Sequence, residues 1–493
     1  MKILLVNPPY RRLRGVGAVY FPLGLGYLAS ILDKAGNDVK IYNGEVPRDK
    51  QEYEINKYKG GDFSHIMSTH QNYLRNLKDE EFFVWQQFKK SLEEFEPDLV
   101  GVSVRTPMLD SALEINHLVK KWNKNCLVIW GGSHPTILPE ESIILPGVDF
   151  LVYGEGERTM LELVEAIEKK NEFSKIKGLY YKTIDGKFIK TPQRQYINNL
   201  DELPFPARHL VFEEDIYLPS GFSDLMGSRG CPFLCSYCSA HSLWGRNVRY
   251  RSVANIIEEI KILKDKYHCE ELRFLDDNLT LNRLWIEELC NLLIKEKINL
   301  KWSCLTRVNL IDENLLKLMI KAGCYGIDIG VESGSPRILE MMKKGITLND
   351  VLRGDRLFNK YGISWTAFFI TGFPYETRED LLATANFMKK INPYRIVLSN
   401  FTPYPMTEDY NAAEKLGVLP EHIDWGRLDH NSPDNFFMKN IKQEEYKKFF
   451  QELNDYVSLR NTNKIKGKEI YYLKHPLSFF RKTYKFIKKR IGI

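Results

Sequence analysis

The chain has 493 residues, of which 43% are hydrophobic and 27% charged, and its net charge is +6. These proportions suit a soluble globular protein of roughly three domains, and so small a charge over this length argues against a nucleic-acid partner. Eight cysteines in so long a chain are not a disulfide framework, which points to a reducing cytoplasm. No secretory signal is expected, because Met1-Lys2 leads directly into the strand-like Ile3–Val6, and no uncharged apolar run approaches the ~20 residues of a membrane span.

The first elements alternate. Lys2–Val6 reads as a buried strand, Leu23–Ala35 as a helix ending at Gly36, and Asp38–Tyr42 as a second strand. Residues 45–97 read as an insertion rich in charge and aromatics (Tyr53, Tyr58, Tyr73, Phe82, Phe83, Trp85), helical near Glu80–Phe95. Asp98–Ser103 is a third strand, followed by helix Asp110–Trp122, and Cys126–Trp130 is a fourth, ending in Gly131-Gly132-Ser133-His134-Pro135-Thr136. Asp149–Tyr153 is a fifth, ending in Gly154-Glu155-Gly156-Glu157 before helix Arg158–Lys169. The pattern is doubly wound, with ligand-competent loops at strand ends. Such glycine pairs fit many ligands, nucleotides included, although neither a Walker lysine motif nor Gly-x-Gly-x-x-Gly is present. Residues 1–195 are therefore read as one ligand-binding domain. A linker over 196–222 follows, made extended and stiff by Pro204 and Pro206.

From Ser223 to Pro405 the chain reads as six strand–helix repeats of a parallel α/β sheet. The strands are Asp224–Ser228, Glu271–Leu275, Lys301–Leu305, Tyr325–Val331, Ser364–Ile370 and Arg395–Asn400. Each ends in polar or glycine-rich residues, among them Asp276-Asp277-Asn278, Thr306-Arg307, Glu332-Ser333-Gly334-Ser335 and Thr371-Gly372-Phe373-Pro374. Strand C-termini are where parallel barrels and open sheets place their active sites. Taken singly, Glu332 could be a helix N-terminal carboxylate and Arg307 a surface ion pair. Together on one face they point to a site. Asp276 and Asp277 are read as capping the next helix or hydrogen-bonding within the site. Cys269, Cys290, Cys304 and Cys324 stand in apolar contexts that read as buried thiols, with Cys304 nearest an active end.

After the first strand comes Ser-Arg-Gly-Cys-Pro-Phe-Leu-Cys-Ser-Tyr-Cys, which places Cys231, Cys235 and Cys238 at C-x-x-x-C-x-x-C spacing. Three thiolates on one loop can hold three irons of a 4Fe–4S cluster and leave the fourth open. The alternative is a Cys₃His zinc site with His241, although closed sites usually draw on two separated pairs and these four ligands crowd into eleven residues. The loop and its surroundings resemble the radical S-adenosylmethionine (SAM) superfamily. Preceded by Pro22–Ala29 and the two glycine loops, they resemble its cobalamin-dependent branch. The resemblance implies an N-terminal Rossmann-like cobalamin-binding domain and a partial (β/α)₆ barrel. In it the open iron chelates SAM, Tyr237 lies beside the adenine, Arg307 pairs with the SAM carboxylate, and Glu332-Ser333 contacts the methionyl amine or ribose. Phe369 to Gly372 would offer backbone to adenine, although Phe368 stands where the family has glycine. Leu23, Gly24, the Ser103-Val104-Arg105-Thr106 loop, Gly131, Gly132, His134, Pro135, Thr136, Tyr153, Gly154, Glu155 and Gly156 would contact the corrin or its nucleotide tail. The insertion is placed to cover corrin or substrate. None of the ten histidines stands in the Asp-x-His-x-x-Gly motif that supplies a lower axial ligand.

The implied activity is C-methylation of an unactivated carbon: a 5′-deoxyadenosyl radical removes a hydrogen, and the carbon radical takes the methyl group of methylcobalamin. Alternatives are a radical cyclase, dehydratase or oxidoreductase, with an empty corrin domain among them. An external donor of flavodoxin or ferredoxin type would supply electrons. Residues 406–493 read as helices on the barrel mouth. Between Lys474 and Ile493 lie seven Lys or Arg and no acidic residue, with Leu477, Phe480, Tyr484, Ile487 and Ile491 on one face. Such a helix lies on anionic membranes or docks on its own protein, and the first case suggests a lipid-like substrate.

Overall fold

The computed structural model describes residues 1–15, 19–47, 63–183, 185–425, 428, 430 and 434–474. The basic segment beyond Lys474, and Tyr53 and Tyr58 of the insertion, lie outside the described residues.

Strands β1 (Lys2–Asn7), β2 (Asp38–Asn43), β3 (Leu99–Ser103), β4 (Leu127–Gly131) and β5 (Phe150–Val152) form a parallel sheet in the order 2-1-3-4-5. An antiparallel hairpin, β6 (Leu179–Lys182) and β7 (Phe188–Lys190), extends the β5 edge. Around the sheet lie α1 (Leu23–Lys34), α2 (Phe63–Leu77), α3 (Phe83–Phe95), α4 (Leu109–Trp122), α5 (Ser133–Ile137), α6 (Pro139–Ile143) and α7 (Gly156–Lys169). Alternate side chains of β1 enter two cores. Ile3 and Leu5 join α1 and α7 residues such as Leu32 and Leu163, while Leu4 and Val6 join Trp85, Phe88 and Ile115 of α3 and α4. Covering on both faces explains why the strand reads as an unbroken apolar run. It also corrects one expectation: Tyr73, Trp85 and Phe88 of the insertion are buried in the second core, so its described helices form a wall of the domain rather than a cover.

The expected first barrel strand is split. β8 (Asp224–Leu225) enters the barrel sheet, the chain turns at Met226-Gly227, and β9 (Ser228–Arg229) pairs antiparallel with β10 (Arg249–Tyr250). The cause is Asp276, which accepts from the Gly227 N–H at 2.9 Å and from the Ser228 hydroxyl. Strands β11 (Glu271–Phe274), β12 (Lys301–Thr306), β13 (Cys324–Glu332), β14 (Ser364–Thr371) and β15 (Arg395–Asn400) continue the parallel sheet in chain order from β8. Its helices are α8 (Ala240–Trp244), α9 (Val253–Asp265), α10 (Arg283–Lys295), α11 (Glu313–Lys321), α12 (Pro336–Met341), α13 (Leu348–Lys360) and α14 (Arg378–Lys390). Side-chain caps fix where six of these begin: Ser252, Asn282, Asp312, Ser335, Thr347 and Thr377. Asn282, not Asp276 or Asp277, caps α10. Thr347 and Thr377 form full capping boxes, satisfying two orphan N–H groups each.

The 196–222 segment is not a free rod. Four short 3₁₀ turns fold it into the joint between sheet and barrel, with the Ala207 N–H donating to Gly26 and that of Phe212 to Ile41, both at 2.9 Å. Arg208, only 1% exposed, ion-pairs with Glu259 of α9 at 2.8 Å, and Arg251 meets the other oxygen of the same carboxylate. After the barrel come α15 (Glu408–Lys415) and the 32-residue α16 (Gln443–Lys474), whose Tyr446 is buried against Thr371 and Asn400. Among the described residues no helix is long and apolar enough to cross a membrane.

Candidate active site

Along β14, Ser364, Thr366, Phe368 and Ile370 are partly exposed, while Trp365, Ala367, Phe369 and Thr371 are buried against the outer layer. The same alternation on β12 and β15 leaves the barrel interior only partly filled. A cavity of about 600 Å³ results, lined by Cys231, Cys235, Cys238, Tyr237, Asp277, Asn278, Arg307, Glu332, Lys344, Phe401 and Tyr404 among others.

The cysteine loop is held from several sides. Gly230 has φ +111°, and a Cβ there would stand 2.6 Å from the Asn247 carbonyl oxygen, so only glycine lets the loop leave β9 at this angle. Ser236 donates its N–H to Met342 O at 3.0 Å and its hydroxyl to Asp409 at 2.8 Å. Burial lifts that Asp409 carboxyl to about 6. Burial also raises the thiols of Cys231 and Cys238, the latter to about 11, so a bound cation must displace their protons. Among the described residues, only Glu80, Glu114 and His117 bring three candidate ligand atoms within 4.8 Å of one another. The three thiols and His241 do not. One tetrahedral zinc would need its sulfurs roughly 3.8 Å apart, whereas a cluster takes each thiolate on a different iron.

Arg307 lies under this loop. Its guanidinium stacks on Phe233 at 3.8 Å, donates to the Lys344 carbonyl, and points Nη1 at Cys235 Sγ from 3.7 Å. Its Nε, and Nδ2 of the cavity-lining Asn278, are buried without a partner. Glu332 owes its aim to a bulge. The β13–β14 register shifts between Gly330 and Glu332, and Glu332 itself sits at φ +66°. Its carboxylate folds back over Gly330, where a Cβ would stand 2.2 Å from Oε1. There it accepts from the Tyr237 hydroxyl at 2.9 Å and from Lys344 Nζ at 2.7 Å. Lys344 was missed in sequence: a Lys-Lys pair ending a helix reads as solvated surface, yet Lys344 is only 7% exposed.

Several expected residues lie elsewhere. Ser333 is fully buried and bonds Thr384 at 3.0 Å, off the cavity. Gly372 does not line it either; it packs against Asn400 and Tyr446. Phe369 reaches the cavity by backbone, because its side chain points outward with Ala367. Cys304 faces the outer layer, 1% exposed, not the site. The turn after Gly372 is built around Glu376, which accepts the Gly372 and Phe373 N–H groups at 2.7 and 3.1 Å. Burial pushes this carboxyl from its usual 4.5 up to about 8. The folded state therefore holds a proton that the unfolded chain sheds between those values. The resulting stability is fully present below about pH 4.5 and is lost as pH rises through about 8. Glu376→Gln keeps the acceptor oxygen and should flatten that slope, read as urea midpoints from pH 5 to 9.

At the other sheet, the order 2-1-3-4-5 reverses between β1 and β3, and the crevice outside their carboxyl ends is the expected ligand position. Arg105 is exposed there and donates to the Tyr20 hydroxyl at 3.1 Å. Gly24 and Gly154 face open space, and Thr136 Oγ1 accepts the Gly154 N–H at 3.1 Å. Other expected contacts turn away. His134 is 2% exposed, 3.4 Å from Thr106 Oγ1 and edge-on to Trp425 of the C-terminal region. The Tyr153 hydroxyl is spent on Thr191 O, and Leu23 is buried in the core. Glu155 projects into the barrel domain, where Arg229 and Arg249 bind it. A Gly-Glu-Gly-Glu string does not reveal which way its carboxylates point.

Comparison with known proteins agrees with this division. Residues 225–388 match the radical SAM superfamily model, and residues 13–164 match the B12-binding domain model. The uncharacterized methyltransferase PH0819 of Pyrococcus horikoshii is 36% identical over 423 residues, 84% of each chain. The chain belongs to the radical SAM superfamily, in the branch with a B12-binding domain. The anaerobic magnesium-protoporphyrin IX monomethyl ester cyclase of Rubrivivax gelatinosus is 30% identical over 355 residues, 70% of this chain and 63% of that one. The methyltransferase TsrM from Kitasatospora setae, solved with cobalamin and a [4Fe-4S] cluster, shares the fold at TM-score 0.65 and 19% identity, covering 91% of this chain and 81% of its own. This radical SAM protein uses a 4Fe–4S cluster, SAM and cobalamin. Its residues fit them. Three separated thiols share one cavity with an orphaned guanidinium nitrogen and an orphaned amide suited to an anionic, polar ligand. The corrin crevice offers open glycine backbone.

Proposed function

We propose that the chain is a C-methyltransferase acting on an unactivated carbon. The observation that carries this reading is the corrin loop: its one histidine, His134, is enclosed between Thr106 and Trp425, so this loop offers no imidazole to cobalt. A cobalt without a strong lower ligand favours the reduced state that accepts a methyl group from SAM. When bound, the cluster and SAM supply a substrate radical, and the corrin supplies the methyl group. The protein's part is placement. Arg307, which points at Cys235, would pair with the SAM carboxylate, Glu332, held by Lys344, would meet its amine or ribose, and Tyr237 would wall the adenine. Leu275, Leu305, Phe368 and Phe401 give the rest of the cavity an apolar lining.

The similarity to methyltransferases PH0819 and TsrM supports the reading, and the 30% identity to a cyclase favours ring formation as the second. The reading includes a flavodoxin- or ferredoxin-type reductant and a small or lipid-like substrate, the latter resting only on the basic tail. Salt-sensitive binding to anionic liposomes, lost on deleting residues 474–493, supports that substrate class; equal binding by both forms removes it. Protein loaded with hydroxocobalamin and reduced to cob(II)alamin should give an electron paramagnetic resonance spectrum without nitrogen coupling. Nitrogen ligation, or no uptake, overturns the methyl-transfer reading in favour of the cyclase.

A further inference from the structure

A buried cluster of four charges crosses the boundary between the domains at the root of the cysteine loop. Glu155 and Glu157 follow β5, Arg229 stands on β9 two residues before Cys231, and Arg249 is on β10. Glu155 accepts from Arg229 Nη1 at 3.0 Å, from Arg249 Nη1 at 2.8 Å and from the Ile197 N–H at 2.6 Å. Glu157 accepts from Arg229 Nη2 at 2.6 Å. The four side chains are at most 8% exposed. Tyr27 and Trp244 bracket the Arg229 guanidinium, their rings 5.5 and 5.1 Å away.

Two carboxylates and two guanidiniums balance, yet burying them is a poor route to stability; the best-attested use of such a cluster is to fix register. One rigid guanidinium fork binds Glu155 of the loop and Glu157 of the first turn of α7, so shifting that segment against β9 breaks a charge pair outright instead of sliding it. The loop's next residue back is Gly154, which faces open space and donates its N–H to Thr136 of the glycine loop after β4, and the strand's next residues lead to Cys231.

We propose that Glu155, Glu157, Arg229 and Arg249 are positioning residues that lock the corrin loop to the cysteine loop, so that filling one cofactor site tightens the other. This goes beyond methyl transfer and holds for any reaction that uses both cofactors. The test is the hydroxocobalamin dissociation constant of the full chain, measured anaerobically before and after cluster assembly with iron and sulfide. In the unaltered protein assembly should tighten binding at least about fivefold, the lower end of ordinary coupling between sites. The charge-balanced pair Arg229→Met with Glu157→Met leaves Glu155 on Arg249 and should still assemble the cluster. In that variant the ratio should fall to within about twofold of one. If the pair does not fold, the isosteric Glu157→Gln must at least halve the ratio. An unchanged ratio in the variant, a ratio of one in the unaltered protein, or no uptake of hydroxocobalamin overturns the proposal. The product of the reaction plays no part in the measurement, so an unchanged ratio in the variant, or a ratio of one with corrin bound, overturns the coupling and leaves the methyl-transfer reading standing, whereas no uptake overturns both.

Discussion

Replacing Cys231, Cys235 and Cys238 together with alanine is expected to abolish both iron retention and SAM cleavage. The three thiols share one cavity and are not all within the 4.8 Å of one another that a single ion would need, and no other cysteine among the described residues lines that cavity. The fold should survive. The loop's own anchors are the Ser236 bonds to Met342 and Asp409 and the Gly230 turn, none of which involves sulfur. Anaerobic reconstitution followed by iron analysis checks the first part, and release of 5′-deoxyadenosine from SAM checks the second. Full iron loading of the triple variant would sink the assignment of these ligands.

Lys344→Met should have the next largest effect. The side chains of Lys344 and Glu332 are each 8% exposed and 2.7 Å apart, and truncating the cation leaves a carboxylate buried beside the Tyr237 hydroxyl alone. Breaking a buried pair from one side costs about 3–5 kcal/mol. The bulged, left-handed Glu332 is the group that must absorb it, so the cavity wall should move with the charge. SAM affinity of the reconstituted variant should fall about ten- to a hundredfold, the worth of one charge-assisted hydrogen bond. Removing the partner as well, by Glu332→Gln, should restore much of the stability but not SAM binding. Isothermal titration with SAM and urea unfolding of the unaltered protein and the two variants separate these effects. An unchanged affinity for SAM in Lys344→Met would show that the pair is structural.

The fold class was legible because its signals are local. Unbroken runs such as Ile3–Val6 mark strands covered on both faces, and the recurring strand–helix pattern from Ser223 to Pro405 marks a parallel sheet with polar groups at its strand ends. The cysteine loop was legible because three ligands stand within eight residues. What the sequence hid depends on direction and long-range pairing. Lys344 looks like a surface lysine until Glu332, twelve residues earlier, is bent back onto it by a bulge. Asp409 reaches Ser236 across 173 residues, and Glu155 reaches Arg229 across 74, separations over which no periodic pattern carries information. His134 was expected at the nucleotide tail, but Trp425 from the far end of the chain encloses it. The first barrel strand was expected to be continuous, and was split by a carboxylate on the next strand's loop, Asp276.

The most direct measurement follows the methyl group without needing the substrate. Protein carrying the cluster and hydroxocobalamin is reduced anaerobically and given SAM with a deuterated methyl group. If the chain is a methyltransferase, S-adenosylhomocysteine should be released in step with the label's appearance on the extracted corrin, about one methyl per bound corrin. The same protein should release 5′-deoxyadenosine under stronger reduction. Corrin that is bound yet never acquires the label, while 5′-deoxyadenosine still forms, would contradict methyl transfer and leave a radical enzyme of the ring-forming kind.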